Sequence, residues 1–345
     1  MTPDISVVVL NWNGREYLRA CLESLALQRN ALFEVIVVDN GSSDGSVEMV
    51  RSEFIPRPGF SVQVIANQVN RGFCGGNNQG FAAARGRLAV ILNNDAEAEP
   101  DFLAALERAF DDAPDIGMAA AKILVHEDPR RIDKVGHLIY PDGQNRGRGT
   151  GEIDRGQYDR MEECLWPDGC AAMYRAAMLD QIGGFDEDLF IFGDDAELGL
   201  RARMAGWRCL YVPGAVVRHH RGGAMKTAST GRIFLIERNR VLLAVKLFPW
   251  SLLLLNPFYF AARLAAGLLA AAGEKGELAR FPGLWNKTRL AWTIVRANFA
   301  ALRMVPRTLR KRRELRPLLK LKPSQVRRLI LDNRIAVRAL VEQSN

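Results

Sequence analysis

Residues 88–101 read LAVILNNDAEAEPD, in which five apolar residues are followed by Asn93-Asn94-Asp95. An unbroken apolar run of this length is typical of a strand buried on both faces of a parallel sheet. Such strands end at the carboxyl edge of the sheet, where open α/β folds bind their ligands. The carboxylate at that edge predicts an oxygen ligand for a divalent cation. The alternative is a turn followed by a capped helix, and turn chemistry alone can account for the same residues.

Strands and helices alternate from the N-terminus to this stretch. Apolar runs predict strands at 5–10, 33–38, 61–66 and 88–92, and helical patterns lie between them at 15–27, at 46–54 and in an alanine-rich segment up to Arg85. This alternation predicts an α/β fold with a mostly parallel, doubly wound sheet and flanking helices. The polar, glycine-rich residues 126–164 predict a long irregular excursion, which would be a mobile loop over the site.

The four predicted strands end in loops rich in Asn, Asp and Gly, and a parallel sheet brings these loops to one edge. They would form a polar crevice for a nucleotide-sized ligand. The first loop reads NWNGRE and lacks the G-x-G-x-x-G pattern of dinucleotide-binding folds, which argues against NAD. A glycine cluster at 72–80 follows the third strand instead. It is either a flexible turn or a close approach of the backbone to a ligand.

A second acidic group lies further along the chain. Asp194, Asp195 and Glu197 begin a predicted helix that runs to Met204, and residues 186–188 are also acidic. One carboxylate at a helix N-terminus is favourable by roughly 0.3–1 kcal/mol, so helix capping explains one of them. Capping does not explain the whole group, which therefore indicates a second cluster with a function.

Length and composition are those of an ordinary globular protein. The chain has 345 residues, of which 48% are hydrophobic and 25% charged, enough for one large domain with an appendage. Five cysteines show no metal-type spacing, and without a disulfide framework they fit a reducing compartment such as the cytosol. The N-terminus has no basic segment followed by a cleavable apolar stretch, so we expect no secretory signal.

The positive charge is concentrated at the C-terminus. Residues 301–345 contain 13 arginines and lysines against three acidic residues, a net charge of +10, which leaves −2 for residues 1–300. Such a tail predicts an anionic surface as partner, either a nucleic acid or a membrane. The tail has almost no aromatic residues after Phe299 that could stack on bases, so we expect no nucleic acid.

Residues 241–272 are apolar but interrupted. A simple spanning helix needs about 20 apolar residues in a row, and Pro249, Pro257 and Arg263 break this run. Its aromatic residues suit the lipid headgroup region. We expect a monotopic or re-entrant segment that docks on the membrane, with the basic tail acting on anionic lipid. The alternatives are a helical bundle packed on the first domain or on a second subunit of a homo-oligomer, and a transmembrane hairpin.

Taken together, these motifs resemble the inverting glycosyltransferases of family 2, which have the GT-A fold. The resemblance extends from Ile5 to Gly223. Within the family, the chain is most similar to the bacterial rhamnosyltransferase-like members that build surface polysaccharides. The matching segments are VVVLNWNG at 7–14, VIVVDNGSSDGS at 35–46, NRGFCGGNNQG at 70–80, ILNNDAEAEPDFL at 91–103, IGGFDEDLFIFGDDAELGLRARMAGW at 182–207 and VPGAVVRHH at 212–220. The resemblance implies a GT-A catalytic domain at 1–226, and the composition of the rest of the chain predicts a helical membrane-docking region, apolar and then basic, at 227–345.

The resemblance also implies roles for individual residues. Those expected to contact the nucleotide-sugar are Asn11, Asn13, Asp39, Asn70, Gly72, Asn77, Asn93 and Asn94. Asp95 and His219 would bind the metal, although His219 has the alternative of being a surface imidazole in a basic loop. Asp195 matches the general base, and Asp194 stands where the family has glutamate. Either carboxylate is therefore a candidate for the base, and Asp195 is favoured. Asn93 stands at the first acidic position of the family's D-x-D metal motif, so Asp95 would do most of the metal binding.

The implied function is inverting transfer of a sugar from a UDP- or dTDP-sugar, with dTDP-rhamnose as one candidate, to a hydroxyl of a glycan or lipid-linked acceptor. A divalent metal, Mn²⁺ or Mg²⁺, would neutralise the leaving diphosphate, and a carboxylate would take the proton of the attacking hydroxyl. This requires the groups around Asp95 and Asp195 to converge on one sugar. The expected location is the cytoplasmic face of the inner membrane, as a peripheral or monotopic protein. The alternatives are a nucleotidyltransferase and a catalytically degenerate scaffold that binds nucleotide-sugars.

Overall fold

The computed structural model of the protein describes residues 2–111, 113–221, 229–273 and 283–342. By proximity of the backbone the chain divides into two units. The first comprises Met1–His137 and Gly147–Ala224, and the second Leu138–Arg146 and Met225–Asn345. The expected domain boundary between residues 226 and 227 lies outside the described residues and stays a prediction.

The first unit is built on one mixed sheet. Its strands are β1 (Ile5–Asn11), β2 (Phe33–Asp39), β3 (Val62–Ala66), β4 (Leu88–Asn93), β5 (Ala96–Ala98), β6 (Ile116–Val125), β7 (Ile132–Lys134), β10 (Glu162–Glu163), β11 (Ala171–Arg175) and β12 (Arg208–His219). Two further short strands, β8 (His137–Ile139) and β9 (Asn145–Gly147), pair with each other, and Ile139 of β8 also forms an isolated bridge with Arg334. The long path through the sheet is β10-β12-β6-β11-β4-β1-β2-β3, with β5 on β12 and β7 on β6.

The sheet is mixed rather than mostly parallel, which corrects the expectation from the sequence. The strands β4, β1, β2 and β3 are parallel, as is the pair β12 and β6. Between these two sets lies β11, which runs antiparallel to both of its neighbours. The connection from β6 to β11 contains no crossover helix, and an antiparallel neighbour needs none.

Burial agrees with the sequence pattern at the centre of the sheet. The apolar residues of β4 are at most 2% exposed, as expected for a strand covered on both faces. The flanking helices are α1 (Arg15–Ala26), α2 (Ser46–Met49) with a π-helical turn (Val50–Phe54), α3 (Gly72–Ala83), α4 (Phe102–Arg108), α5 (Ala176–Ile182) and α6 (Asp194–Met204). On α1 the buried Leu18, Leu22 and Leu25 share one face, because residues three and four apart are neighbours on a helix.

The glycine cluster at 72–80 is helical and close-packed. A Cβ atom on Gly76 would lie 2.3 Å from Cδ1 of Leu10, and one on Gly80 would lie 2.2 Å from Cγ1 of Val8. These two glycines therefore let α3 lie directly on β1. The flexible turn considered from the sequence is absent here, and the close backbone approach at these two positions is to a strand.

Residues 126–164 are more ordered than the sequence suggested. They contain β7 to β10, and Ile132, Asp133 and Val135 are buried. Gly136 and Gly149 have φ angles of +91° and +75°, which glycine adopts without steric cost, so the glycines serve tight turns. The expectation of one long irregular excursion is corrected accordingly.

The second unit is helical. Its helices are α7 (Thr230–Leu247), α8 (Trp250–Leu253), α9 (Asn256–Ala272), α10 (Leu284–Leu315) with a 3₁₀ turn (Arg316–Leu318), α11 (Pro323–Asp332) and α12 (Val337–Glu342). Asp142, fully buried, accepts a 2.6 Å hydrogen bond from Arg263, and Arg263 also donates to Glu237 at 2.8 Å. Glu237 accepts a second bond from Arg240 at 3.1 Å. The arginine that interrupts the apolar run is thus paired inside this unit.

One face of α10 exposes apolar side chains at intervals of three, four or seven residues, which places them in one stripe along the helix. The stripe comprises Trp285, Trp292, Val295, Phe299 and Leu302, each 54–75% exposed. The opposite face carries the buried Leu290, Ala297 and Ala301, and α10 packs against α7. No described helix combines the length and the apolar character needed to pass through a bilayer.

Candidate active site

The ends of β1, β2 and β4 carry one network of polar side chains. Asn11 and Asp39 are paired in the parallel register, and Asn11 Nδ2 donates to Asp39 Oδ1 at 2.9 Å. Asn94 Nδ2 donates to Asn11 Oδ1 at 2.7 Å, and Ser42 Oγ donates to Asp39 Oδ1 at 2.6 Å. The structure thus brings together three of the residues expected to bind the nucleotide-sugar, because neighbouring parallel strands end at the same edge.

The neighbouring loops are joined to this network. The backbone N–H of Asn13 donates to Ser42 Oγ at 2.8 Å, which ties the loop after β1 to the loop after β2. The buried Asn40 donates through Nδ2 to Asn70 Oδ1 at 3.2 Å and to the carbonyl of Gly72 at 3.0 Å. Asn40 is therefore the link between the loop after β2 and the start of α3, a role that the sequence did not assign to it.

Contacts of Phe190 with Gly72 and Cys74 connect the start of α3 to the loop before α6. Gly72 has a φ of +73°, and a Cβ there would lie 2.5 Å from Cδ2 of Phe190. The carbonyl of Phe190 accepts a hydrogen bond from the N–H of Cys74 at 3.1 Å. Asn77 Nδ2 donates to the carbonyl of Phe73 at 2.9 Å in its own helix, and the expected contact of Asn77 with the nucleotide stays a prediction. Asn93, at the end of β4, donates its backbone N–H to the carbonyl of Cys170.

Asp95 and His219, the two expected metal ligands, lie together. Pairing of β5 with β12 places His219 opposite Ala96, and His219 Nε2 is 3.3 Å from Asp95 Oδ1. The other ring nitrogen, Nδ1, is 2.7 Å from Asp133 Oδ2 on β7. His219 is largely buried, with 13% of its side chain exposed, so the reading of a surface imidazole is wrong.

His219 lies among charged groups of both signs. Burial alone would lower the pKa of His219, but hydrogen bonds to Asp133 and Asp95 outweigh it and raise the pKa to about 9. Burial opposes ionisation of Asp95 as well, yet the bond to His219 holds the pKa of that carboxyl below its usual value. Without a cation, a protonated imidazole is thus paired with two carboxylates, and Arg221 also donates to one of them, Asp133.

These residues fit a divalent cation. A metal-ligating histidine commonly has its second nitrogen held by a carboxylate, which fixes the orientation of the ring, and Asp133 is placed to do this for His219. The free lone pairs of Asp95 and of a deprotonated Nε2 would then face the same ion. Asp95 and His219 are accordingly the residues that would hold a metal, with Asp133 as the orienting group.

A second buried group surrounds the start of α6. Asp195 Oδ2 is 3.2 Å from His137 Nε2, and the same nitrogen is 2.7 Å from Asp168 Oδ2. Lys134 Nζ donates to Asp168 Oδ2 at 2.6 Å. Asp194 lies next to Asp195, and its backbone follows Gly193, whose φ is +73°. The group therefore combines three carboxylates with one lysine and one histidine.

Strand β7 connects the two groups. Its consecutive residues Asp133 and Lys134 bond to His219 and to Asp168, respectively. A continuous series of contacts therefore leads from Asp95 to Asp195 within the first unit. The two carboxylates, far apart along the chain, belong to one polar interior region of this unit.

The two aspartates of α6 differ in exposure. Burial, and then the charge of Asp195, raise the pKa of Asp194 well above its usual value. Burial also raises the pKa of Asp195, while His137 opposes that rise. Asp194 is buried, whereas Asp195 is only partly buried. Asp195 is thus the more accessible carboxylate, and a raised pKa suits a group that accepts a proton.

Four residues of this region were not identified from the sequence: Asp133, Lys134, His137 and Asp168. They lie in or just after the segment that was expected to be irregular, and no motif marks them. Ser42 and Asn40, in contrast, stand in the same loop as Asp39, and their position after a predicted strand was a usable signal.

We expect the substitution Asp194→Asn to raise the melting temperature at neutral pH. The folded chain holds the proton of Asp194 more tightly than the unfolded chain does, so stability falls as pH rises from about 4, the usual aspartate pKa, through the raised pKa. Asparagine removes that loss, and in a chain of 345 residues each kcal/mol recovered raises the melting temperature by about 1–2 °C. Thermal unfolding between pH 4 and 8 measures this, and a gain that did not grow with pH would contradict it.

Comparison with known proteins gives consistent findings. A family model described as "Glycosyltransferase like family 2" matches residues 3–241. The N-acetylglucosaminyl-diphospho-decaprenol L-rhamnosyltransferase of Mycobacterium tuberculosis (strain ATCC 25618 / H37Rv) is 26% identical over 254 residues, which are 67% of this chain and 79% of that protein.

Two solved structures share the fold. The alignment with a mannosyltransferase from Pyrobaculum calidifontis, in complex with GDP-Man and Mn²⁺, has a TM-score of 0.51 at 19% identity. This alignment covers 96% of this chain and 86% of the mannosyltransferase chain. The alignment with GalNAc-T7 bound to UDP, GalNAc and Mn²⁺ has a TM-score of 0.60 at 15% identity. It covers 88% of this chain and 58% of the GalNAc-T7 chain. At these identities the likeness shows the GT-A-type α/β fold alone.

Proposed function

The chain belongs to the glycosyltransferase-like family 2, and from that premise we propose that it is a metal-dependent, inverting enzyme of surface polysaccharide synthesis. It would move a sugar from a UDP- or dTDP-sugar to a hydroxyl of a glycan or lipid-linked acceptor. The relative named as an L-rhamnosyltransferase makes dTDP-rhamnose one candidate donor. The observation that carries the proposal is the pair of groups around Asp95 and Asp195, joined by β7.

The donor would bind along the carboxyl edge of the sheet. Asn11, Asp39 and Asn94 form a rigid polar floor there, and each carries amide or carboxylate atoms suited to a base and a ribose. Asp95 and His219 would hold a divalent cation, and Asp133 orients the imidazole. When bound, such an ion neutralises negative charge that develops on a leaving diphosphate.

Asp195 would act as the general base on the acceptor hydroxyl. The carboxylate is held by the backbone N–H of Ala196 at 2.7 Å on one side, and His137 lies 3.2 Å from its other oxygen. Asp168 in turn holds His137, and Lys134 donates to Asp168. One base and one displacement at the anomeric carbon give inversion of configuration, because the hydroxyl attacks from the side opposite to the leaving group.

A thermal-shift screen of nucleotide-sugars, each with and without Mn²⁺, tests the function. A ligand at 100 times its dissociation constant stabilises a protein by about 2.7 kcal/mol, so a true donor should give a clear shift that is larger with metal. A nucleotidyltransferase would respond to nucleoside triphosphates instead. A degenerate scaffold would bind the donor but show no transfer in a product assay. A lack of any shift by nucleotide-sugars would contradict the proposal.

We further propose that the second unit docks on the cytoplasmic face of the inner membrane, as a peripheral or monotopic element. The exposed apolar stripe of α10 supports this, and so does the exposed Phe258 on α9, within the segment 241–272. Arginines flank the stripe, and the net charge of +10 over 301–345 would favour anionic lipid. A second copy of the chain is the alternative occupant of the stripe.

Vesicle flotation tests the docking. We expect the double substitution Trp292→Glu and Phe299→Glu to lower binding to phosphatidylglycerol vesicles about tenfold or more, since burying one such side chain is worth about 1.5–3 kcal/mol. Ile55→Glu, at an exposed position of the first unit, is the matched control and should float like the wild type. If the stripe joins two copies instead, the double variant would turn a dimer into a monomer in size-exclusion chromatography and leave flotation unchanged.

A further inference from the structure

Three metal-ligating side chains outside the proposed active-site groups converge at the ends of β5, β6 and β12. Strand β12 pairs with β5 and with β6, so Glu97 on β5 and the residues that follow β6 and β12, His126 and His220, become neighbours. The Nε2 atom of His220 is 2.8 Å from Glu97 Oε1, and Nε2 of His126 is 3.2 Å from the same oxygen. The ligand atoms of all three lie within 4.8 Å of one another.

The imidazole rings of His126 and His220 stack face to face. Their ring centroids are 3.5 Å apart, with 23° between the ring planes, and both direct Nε2 toward one carboxylate oxygen. A single cation at this place would use the lone pairs of both nitrogens and the charge of the carboxylate together.

We propose that Glu97, His126 and His220 form a second metal site, which takes a transition-metal ion such as Zn²⁺ or Co²⁺. Two imidazoles and one carboxylate are a donor set that suits these ions better than Mg²⁺, which prefers oxygen. Three protein ligands leave further positions of the ion to water. The side chains of His126 and Glu97 are about a third exposed, at 32% and 34%, so an ion has access from solvent.

The proposed second site differs from the first, Asp95 and His219, in its ligand atoms, and backbone hydrogen bonds connect the two sites. The first site offers one carboxylate, Asp95, and one imidazole, His219, whose other nitrogen bonds to Asp133, whereas the second site offers one carboxylate and two imidazoles. The backbone joins the two sites: the N–H of His220 donates to the carbonyl of Asp95 at 2.9 Å, and the N–H of His126 donates to the carbonyl of His219 at 3.0 Å. An ion in the second site therefore clamps the backbone that carries the ligands of the first.

Metal titrations of the full chain, stripped with a chelator, test the proposal without an activity assay. Co²⁺ is followed by its visible absorption and by calorimetry, and Mn²⁺ by electron paramagnetic resonance. We expect His126→Ala to weaken Co²⁺ binding at least tenfold and to leave Mn²⁺ binding intact. Asp95→Asn should do the reverse. Because the alanine variant could fail to fold, Glu97→Gln, which keeps the size of the side chain, serves as a second variant, and unfolding in chelator confirms that each protein is folded.

Zn²⁺ should also raise the melting temperature of the wild type and not that of His126→Ala or Glu97→Gln. Two results would overturn the second site. One is Co²⁺ affinity in both folded variants equal to that of the wild type. The other is a parallel loss of Co²⁺ and Mn²⁺ in these variants, which would mean one shared site. The proposed glycosyl transfer would survive either result, since it depends on Asp95 and Asp195.

Discussion

Asp195→Asn should lower the rate of sugar transfer about 10²–10⁴-fold, the range that a positioned general base contributes, while donor binding stays intact. Asparagine has nearly the same size and can still accept the hydrogen bond of Ala196, so the fold around α6 should persist. The measurement is single-turnover transfer with a saturating donor, and a thermal shift with the same donor reports binding. Asp180→Asn, at an exposed position of α5, is the matched control.

The pH profile adds a second readout for Asp195. Its pKa is raised by burial, and the carboxylate must be ionised to accept a proton, so the rate of the wild type should rise with pH through that raised pKa. The residual rate of Asp195→Asn should lack this rise. Asp194→Asn should keep most of the activity, because Asp194 is the less accessible carboxylate. Near-normal turnover in Asp195→Asn would remove this residue from the base role, and a large loss in Asp194→Asn would transfer the role there.

Asp95→Asn should abolish metal-dependent transfer at ordinary Mn²⁺ concentrations. Loss of an orienting carboxylate typically costs 10–100-fold in metal affinity, so Asp133→Asn should fall in that range and loss of the ligand itself should cost more than about 100-fold. Asp133→Asn should therefore recover activity when Mn²⁺ is raised, and Asp95→Asn should not. Electron paramagnetic resonance of Mn²⁺ measures both affinities directly.

A matched control for these two variants is Glu99→Gln, since Glu99 is 38% exposed and pairs with Arg218 on the surface. It should bind Mn²⁺ like the wild type. Unchanged Mn²⁺ affinity in Asp95→Asn would show that the ion binds elsewhere in the protein. Equal losses in Asp95→Asn and Asp133→Asn would mean that Asp133 is a ligand rather than an orienting group.

The strands that form the floor of the site were predictable because their signal is local. An apolar run followed by Asn and Asp marks β1, β2 and β4, and parallel strands end at one edge whatever the rest of the chain does. The sequence therefore predicted that Asn11, Asp39 and Asn94 would meet. It could not predict the use of Asn77, because an amide side chain can face a ligand or bond to its own helix, and the choice depends on how α3 lies on β1.

In the helices of the second unit, too, some features were predictable from the sequence and others depended on packing. The spacing of apolar residues in α10 is visible in the sequence, but two opposite faces of that helix carry apolar residues, and only packing against α7 shows which face stays exposed. Arg263 interrupts an apolar run in the sequence. In the structure it is buried against Asp142 and Glu237, and Asp142 comes from a segment of the chain far from α9.

The sequence by itself determined the family, the order of the central strands and helices, and the identity of Asp95, Asp195 and His219 as candidates for chemistry. These depend on hydrophobic periodicity and short motifs, which act over a few residues. Only the tertiary structure decided the antiparallel insertion of β11 and the contacts of Asp133, Lys134, His137 and Asp168. The physical reason is that these contacts arise from strand pairings between distant segments, and no short-range pattern in those segments specifies the partner.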